Sequence, residues 1–434
     1  MAGGVAMTGL ILFGVAFLLL LLGIPVAFAF GGSAIFAALL DPDLGIEVFG
    51  LLPYRIYGIM QNFNLIAVPL FILMGFLLEK SGIAERMLTS IGKLFGPVRG
   101  GLAIAIVLVG AILAASTGIV GASVVMMTVI SLPIMLKYRY SPRLASGVIA
   151  ASGTLGQLIP PSIVLIILGF MMNISVGDLF KAAVIPGLIV VTLYILYILG
   201  VAWVKPEVAP PIPTTEPYSK ILIEAVKSLV APTLLILLVL GSIFTGFATP
   251  TESAGVGVIG SLLLTLAYRS FRWELLWYAL RESVKITSMI FTILIGATAF
   301  SLVFNESGAG DIVTELFTSH LSSKESFVLI SMVLIFLLGF FVDFIEISFI
   351  VIPILMPIAE EFQVDPLWFG ILIAINLQTS FLTPPFGFSL FYLKGAAGDR
   401  IQTGDLYRGI IPFIILQLLT LALIFYYPPL LHLL

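Results

Sequence analysis

The chain has no cysteine and only two histidines, His320 and His432, in 434 residues. Disulfides and thiolate metal sites are thereby excluded. Both imidazoles fall in stretches expected near a membrane boundary, so metal- or histidine-based catalysis has little to work with. Charge is scarce as well: 10% of residues carry it, against roughly 25% in soluble domains. With 60% hydrophobic residues and a mean hydropathy of +1.20, the composition excludes a soluble domain. Alternation of apolar and polar residues is also missing, which excludes a β-barrel. What is present instead is continuous apolar sequence, such as ILFGVAFLLLLLG (11–23), VAPTLLILLVLGSIF (230–244) and FIILQLLTLALIFYY (413–427). With their neighbours these runs reach the roughly 20 residues of a spanning helix. The leader MAGGVAMT has no Lys or Arg for the basic region of a signal peptide, so the first apolar run is expected to be a spanning helix. The reading is an all-α polytopic membrane protein.

The chain also repeats itself. Pro25 and Pro250 correspond at an offset of 225, and SGIA (81–84) and SGAG (307–310) at an offset of 226. Pro133, Pro142 and Pro160-Pro161 match Pro357, Pro366 and Pro384-Pro385 at an offset of 224. GDLF (177–180) and GDLY (404–407) correspond in turn, as do Pro186 and Pro412. So many anchors in order imply a duplication, with KPEVAPPIPTTEPYSK (205–220) as the linker. The first repeat then spans 1–204: scaffold helices over 1–98, a hairpin and broken helix over 99–175, and a scaffold helix over 176–204. The second spans 221–434: scaffold helices over 221–322, a hairpin and broken helix over 323–395, and a last helix over 404–428.

Basic residues concentrate in cytoplasmic loops. If the N-terminus is outside and 100–136 and 325–359 each enter and return on one side, all but Arg55, Lys181 and Lys324 of the 20 Lys and Arg fall inside. The count gives the orientation and leaves open whether those two segments are re-entrant hairpins or ordinary pairs of spans. Under this topology the repeats are inverted, as in secondary transporters with midplane binding sites between broken helices.

Two segments carry helix-weakening residues inside apolar runs: GTLGQLIPPS (153–162) and LQTSFLTPPFG (377–387). Proline suits a first helical turn, so a second half-helix is expected to begin near Pro160 and near Pro384, each after an unwound bridge of about six residues. Bridge carbonyls and the hydroxyls of Ser152, Thr154, Thr379, Ser380 and Thr383 suit a hard cation such as Na⁺, while helix N-termini favour an anionic substrate group. The plainer alternative is a proline kink whose hydroxyls bond back to the backbone.

The hairpins are expected to turn near AASTGIVGAS (114–123), where Ser116, Thr117, Gly118 and Gly121 permit a tight reversal, and near GFFVDFIEIS (339–348). Asp343 and Glu346 are flanked there by apolar residues, and carboxylates at such depth are costly enough to be functional candidates. Asp343 reads as a Na⁺ or proton ligand, or as an interfacial or helix-capping acid. Glu252, in TPTES, reads as an N-terminal helix acid near the outer interface. No Lys or Arg falls at the expected midplane. An anionic substrate is therefore left to amide dipoles around Pro160, Ser162 and Pro384, to Gln157, Asn376 and Gln378, to hydroxyls, or to bound cations; Glu346 joins this substrate-facing set.

ASGTLGQLIPPS and LQTSFLTPPFGFSLFYLKG, with VPLFILMGFLLEKSG and ATPTESAGVG, resemble the large membrane subunit of tripartite ATP-independent periplasmic (TRAP) transporters, the DctM type, over essentially the whole chain. The resemblance implies a non-enzyme, a Na⁺-driven importer of organic acids in a bacterial or archaeal inner membrane. It implies an elevator-type fold in which hairpins and broken helices move against a scaffold. It also implies two partners, a small four-helix membrane subunit and an extracytoplasmic binding protein. Na⁺ sites would lie between the first hairpin tip, with Ser116, Thr117 and Gly118, and the bridge at 152–157, including Gly156. A second set would lie between the second hairpin and the bridge at 379–383. Where many relatives have Ser-Gly-Ser-Ser at the first tip, this chain has Thr117, Gly118, Ile119 and Val120, two hydroxyls fewer. The small subunit is expected as a separate chain, because fusion would need roughly 80 more residues, mostly apolar. The alternative within transport is a stand-alone Na⁺/carboxylate carrier of the same fold.

Overall fold

Apolar runs interrupted by Gly, Pro and short polar turns fold as helices, because lipid leaves the backbone no partner but itself. A computed structural model of the chain describes residues 2–117, 120–213 and 216–433, and the side chains of all of these but 2–6 and 114–117. The first repeat comprises α1 (Ala2–Leu21), α2 (Val26–Leu40), α3 (Leu52–Met60), α4 (Ala67–Lys80) and α5 (Ile83–Phe95). These are followed by a hairpin of α6 (Gly101–Thr117) and α7 (Val120–Lys137), a broken helix of α8 (Pro142–Thr154) and α9 (Ile163–Met171), and α10 (Val176–Val204). The second comprises α11 (Tyr218–Phe244), α12 (Pro250–Ala267), α13 (Trp273–Glu306) and α14 (Ala309–His320). Then come the hairpin of α15 (Lys324–Leu338) and α16 (Phe344–Glu361), the broken helix of α17 (Pro366–Leu382) and α18 (Phe388–Ala397), and α19 (Thr403–Tyr426). Among the described residues there is no strand, and seven helical segments are long and apolar enough to cross a membrane.

The duplication extends to single backbone conformations. Gly82 and Gly308, which open α5 and α14, have φ of 74° and 75°. Arg139 and Gln363, which correspond at the offset of the proline pairs, have φ of 60° and 52°. Both Pro-Pro bonds, 160-161 and 384-385, are cis.

Two contacts along α19 show that the repeats are inverted. At its start, Asp405 accepts from Arg143 Nε at 2.8 Å, next to the N-terminus of α8. At its end, the Ile424 carbonyl accepts from Trp368 Nε1 at 3.0 Å, next to the N-terminus of α17. The equivalent helices α8 and α17 thus start at opposite ends of one helix and run antiparallel. Each hairpin enters and returns on one side: the Leu102 amide donates to Tyr140 Oη at 3.3 Å, and the Phe327 and Phe362 rings stack at 5.3 Å. At 17 and 15 residues, α6 and α15 reach only about 26 and 22 Å, short of the roughly 30 Å core.

The α8–α19 crossing depends on small residues that let backbones meet. A Cβ on Gly147 would stand 2.2 Å from the Gly409 carbonyl oxygen, and one on Gly409 would stand 2.0 Å from that of Arg143. Further along α19, Gln417 Nε2 donates to Tyr194 Oη on α10 at 2.7 Å, both side chains being fully buried. Tyr194→Phe strands that amide and should cost about 1–3 kcal/mol, whereas adding Gln417→Leu should recover most of it. Thermal unfolding in detergent checks this; a double variant less stable than Tyr194→Phe would refute it.

The linker is a strap rather than a free tether. Ala209 and Val208 carbonyls accept from Gly100 and Ser141 amides at 2.9 Å, and Ile212 donates to Gly96 at 2.7 Å. Lys93 Nζ lies 2.6 Å from Glu216. The segment therefore ties together the two ends of the first hairpin.

Candidate functional site

Both broken helices break, but not where the prolines alone predict. In the first repeat α8 ends at Thr154, a 3-10 turn covers Leu155–Gln157, and α9 begins only at Ile163. In the second, α17 ends at Leu382 and α18 begins at Phe388. Pro160 and Pro384 thus lie within five-residue non-helical bridges, 158–162 and 383–387, and do not start the half-helices. The physical reason in the first repeat is capping. Ser162 Oγ accepts from the Leu165 amide and donates to the Gln157 carbonyl at 2.7 Å, so the helix starts after Ser162. Ser162, expected among the substrate contacts, has its hydroxyl engaged in both directions.

The expected bridge hydroxyls lie mainly on the final helical turns before the breaks. Thr154 donates to Ala151 at 2.9 Å, Thr379 to Ile375 at 2.7 Å, and Ser380 to Leu377 and Thr383 to Thr379 at 2.8 Å. Such back-bonding uses the proton and leaves oxygen lone pairs for a cation or a donor. Ser152 differs: its hydroxyl is buried with no partner. Gly156 lies in the 3-10 turn, between Thr154 and Gln157.

The two equivalent helices meet just ahead of their breaks. Gln378 Nε2 donates to Thr154 Oγ1 at 3.5 Å, and these positions are themselves equivalent, so the repeats touch at matching points of the duplication. Around that point several polar atoms are buried without partners: both amide atoms of Gln157, Gln378 Oε1 and Ser152 Oγ. Unsatisfied buried groups are few in native proteins and mark a strained or ligand-binding locus. Asn376 is otherwise engaged, donating to Met332 of α15 at 2.7 Å and so bracing the second hairpin.

The hairpins pack on the breaks. A Cβ on Gly110 would stand 2.8 Å from that of Ser152, and one on Gly339 would stand 2.2 Å from Ser380 Oγ. At the first tip, Gly118 and the side chains of Ser116 and Thr117 lie outside the described residues. At the second tip Asp343 is the N-cap of α16, with Oδ1 accepting from the Phe344 amide at 2.6 Å. Glu346 lies in the first turn of that helix, 7% exposed, with Oε2 unpartnered. Ser348, two residues on in the same helix, is buried and unpartnered too. A lone serine in an apolar run drew no attention in the sequence; only burial reveals it. Glu252 completes a capping box with Thr249 at the start of α12, an exposed structural role.

Two clefts separate the scaffold from the hairpin and broken-helix unit. One, of about 700 Å³, lies between Glu79, Lys80 and Tyr278 on one side and Gly121, Val125 and Tyr392 on the other. Lys80 Nζ is 3.3 Å from Glu79 and 4.8 Å from the Tyr278 ring centroid. The other, of about 400 Å³, lies between Arg55 and Ser301 on the scaffold and Phe170 and Phe349 opposite. Arg55 is 3.5 Å from Glu306, which precedes SGAG in the second repeat as Lys80 precedes SGIA in the first. Because α13 contributes Tyr278 near its start and Ser301 near its end, the clefts lie towards opposite faces. In the sequence, the signal for Lys80 is its adjacency to Glu79 at the end of an apolar run.

The chain matches the family model described as "Tripartite ATP-independent periplasmic transporter, DctM component" over residues 13–430. It is 32% identical over 378 residues to the C4-dicarboxylate TRAP transporter large permease protein DctM of Pseudomonas aeruginosa, covering 87% of each chain. It is 29% identical over 411 residues to the sialic acid TRAP transporter large permease protein SiaM of Vibrio cholerae, covering 94% of each. The YdaH transporter of Alcanivorax borkumensis shares the fold at a TM-score of 0.64 and 14% identity, over 96% of this chain and 97% of that one. With inverted repeats, paired hairpins and broken helices already evident, these matches agree with the architecture. The chain belongs to the DctM component family of tripartite ATP-independent periplasmic transporters, as a large, multi-pass membrane subunit and not an enzyme.

Proposed function

We propose that the chain is the large subunit of a Na⁺-coupled secondary transporter of the inner membrane that imports an organic acid. The substrate comes from an extracytoplasmic binding protein, and a small membrane subunit completes the scaffold. The observation that carries the reading is the contact of the two equivalent helices just ahead of their breaks, at Thr154 and Gln378, beside unpartnered buried oxygens of Ser152, Gln157 and Gln378. Oxygen lone pairs on a broken helix suit a hard cation, and a bound cation with the amide dipoles of Gln157 and Gln378 offsets the negative charge of a carboxylate where no Lys or Arg is present. Clefts towards opposite faces, each walled by scaffold on one side and by the hairpin unit on the other, support an elevator movement of that unit.

The names of relatives support the substrate class: C4-dicarboxylate and sialic acid permeases, and an isethionate TRAP permease DctMQ from Oleidesulfovibrio alaskensis, of which this chain covers 65% at 27% identity. The test is uptake into proteoliposomes holding the chain with its small subunit and binding protein. Replacing the Na⁺ gradient by K⁺ should lower uptake at least tenfold. Equal uptake in K⁺ defeats the Na⁺ coupling, and Na⁺-driven uptake without binding protein establishes a stand-alone carrier instead.

A further inference from the structure

At the face where Lys137, Arg139 and Arg400 also lie, α8, α10, α19 and the linker strap enclose a cavity of about 550 Å³. Arg143, Lys205 and Arg408 line it. Asp405 pairs with Arg143 at 2.8 Å, while Lys205 and Arg408 have no carboxylate within ion-pair distance among the described residues. No acidic side chain lines the cavity. Its α10 wall is Tyr197, Val201 and Val204, and α10 continues along the same segment with Leu196 and Trp203 at 58% and 83% exposed. A basic cavity thus joins directly to an apolar surface that faces lipid.

In the second repeat the equivalent place is filled by side chains. Ser141 and Leu144 flank Pro142, and the residues that flank Pro366 in the same way are Asp365 and Trp368. Asp365 accepts from the Trp368 amide at 2.7 Å, and the Trp368 indole is buried against Phe425, with centroids 5.6 Å apart. In the first repeat, Ser141 makes no side-chain cap bond and Leu144 leaves the indole volume open. The first-repeat copy therefore lacks both the negative group and the bulk that complete the second-repeat copy, and has unpaired cations in their place.

We propose that this cavity binds the headgroup of an anionic phospholipid, its phosphate between Lys205 and Arg408 and its acyl chains along α10. A phosphate is preferred to a free organic anion because the cavity opens onto membrane-facing apolar side chains, and basic recesses between helices on the cytoplasmic side match anionic headgroups. Since α8 belongs to the broken helix and Lys205 to the strap, one lipid would bridge the two.

The test uses the full chain in detergent with added phosphatidylglycerol, phosphatidylcholine or inorganic phosphate, read by native mass spectrometry and thermal unfolding. Phosphatidylglycerol should stay bound and raise Tm by several degrees over phosphatidylcholine. Lys205→Gln with Arg408→Gln should weaken its retention by roughly ten- to thirty-fold. Arg139→Gln should retain it; Arg139 does not line the cavity, and its equivalent at the same positive φ is already Gln363. No preference for phosphatidylglycerol over phosphatidylcholine in the wild type overturns the proposal whether or not the double variant folds. So does equal stabilisation by inorganic phosphate, which would mark a free-anion site.

Discussion

Gly409→Ala is expected to leave little folded protein in the membrane, a large effect for a single methyl group. Its Cβ would lie 2.0 Å from the Arg143 carbonyl oxygen, so the clash is with backbone, which cannot rotate away as a side-chain end can. Relief requires α8 and α19 to separate along their crossing. That would disturb the Arg143–Asp405 pair and the facing Gly147, whose own Cβ would meet the Gly409 carbonyl at 2.2 Å. Overpacking costs about 1–3 kcal/mol where side chains can yield; here the cost should reach or exceed the top of that range. Gly404→Ala is the control, since a Cβ there meets nothing within 4 Å on the same helix. Fluorescence-detected size exclusion and Tm compare the two, and equal stability of the variants would mean the close crossing is wrong. Gly147→Ala should be nearly as damaging. The double variant should be non-additive, because both residues act on one contact.

The second large effect concerns Na⁺. Thr383→Ala removes an oxygen at the end of α17, and Asp343→Asn removes the charge at the second hairpin tip. Asn caps helices as well as Asp does, so the latter separates charge from the capping of α16. A hydrogen bond or ligand contact to a charged group is worth roughly 1.5–3 kcal/mol, so each variant should raise the Na⁺ concentration for half-maximal uptake at least about tenfold. Insertion and folding should be unaffected. Ser131→Ala controls for loss of a buried hydroxyl, since Ser131 is also unpartnered but sits towards the base of α7, away from the breaks. If Thr383→Ala and Asp343→Asn both keep the wild-type Na⁺ response, these residues are not ligands and the site must be sought elsewhere among the unpartnered oxygens.

Much of the architecture was legible in the primary structure, and the particular residues show why. The constant spacing of the prolines found Pro160 and Pro384, and the structure reproduces that spacing down to the paired φ angles of Arg139 and Gln363. The second hairpin turn falls at 339–343, where glycine and Asp343 interrupt apolar sequence. Proline preference for a first turn does not place the start of α9, because the Ser162 hydroxyl both caps that helix and closes on the Gln157 carbonyl. At the site, Thr154 and Gln378 could be named from sequence, but their mutual contact could not. Asn376, with the same amide chemistry as Gln157, is bonded to Met332 while both side-chain amide atoms of Gln157 are left without partners.

The sequence by itself determined the class, the duplication and the presence of the broken helices. The bilayer enforces these locally, through the length of apolar runs and the self-satisfaction of backbone bonds. Only the tertiary structure decided which buried polar atoms lack a partner, that the linker straps the first hairpin, and that the first-repeat copy of a duplicated position is a basic cavity where the second-repeat copy holds Trp368 and Asp365. These depend on what stands across the interface, far away in the chain, and no local rule of composition or spacing carries that information.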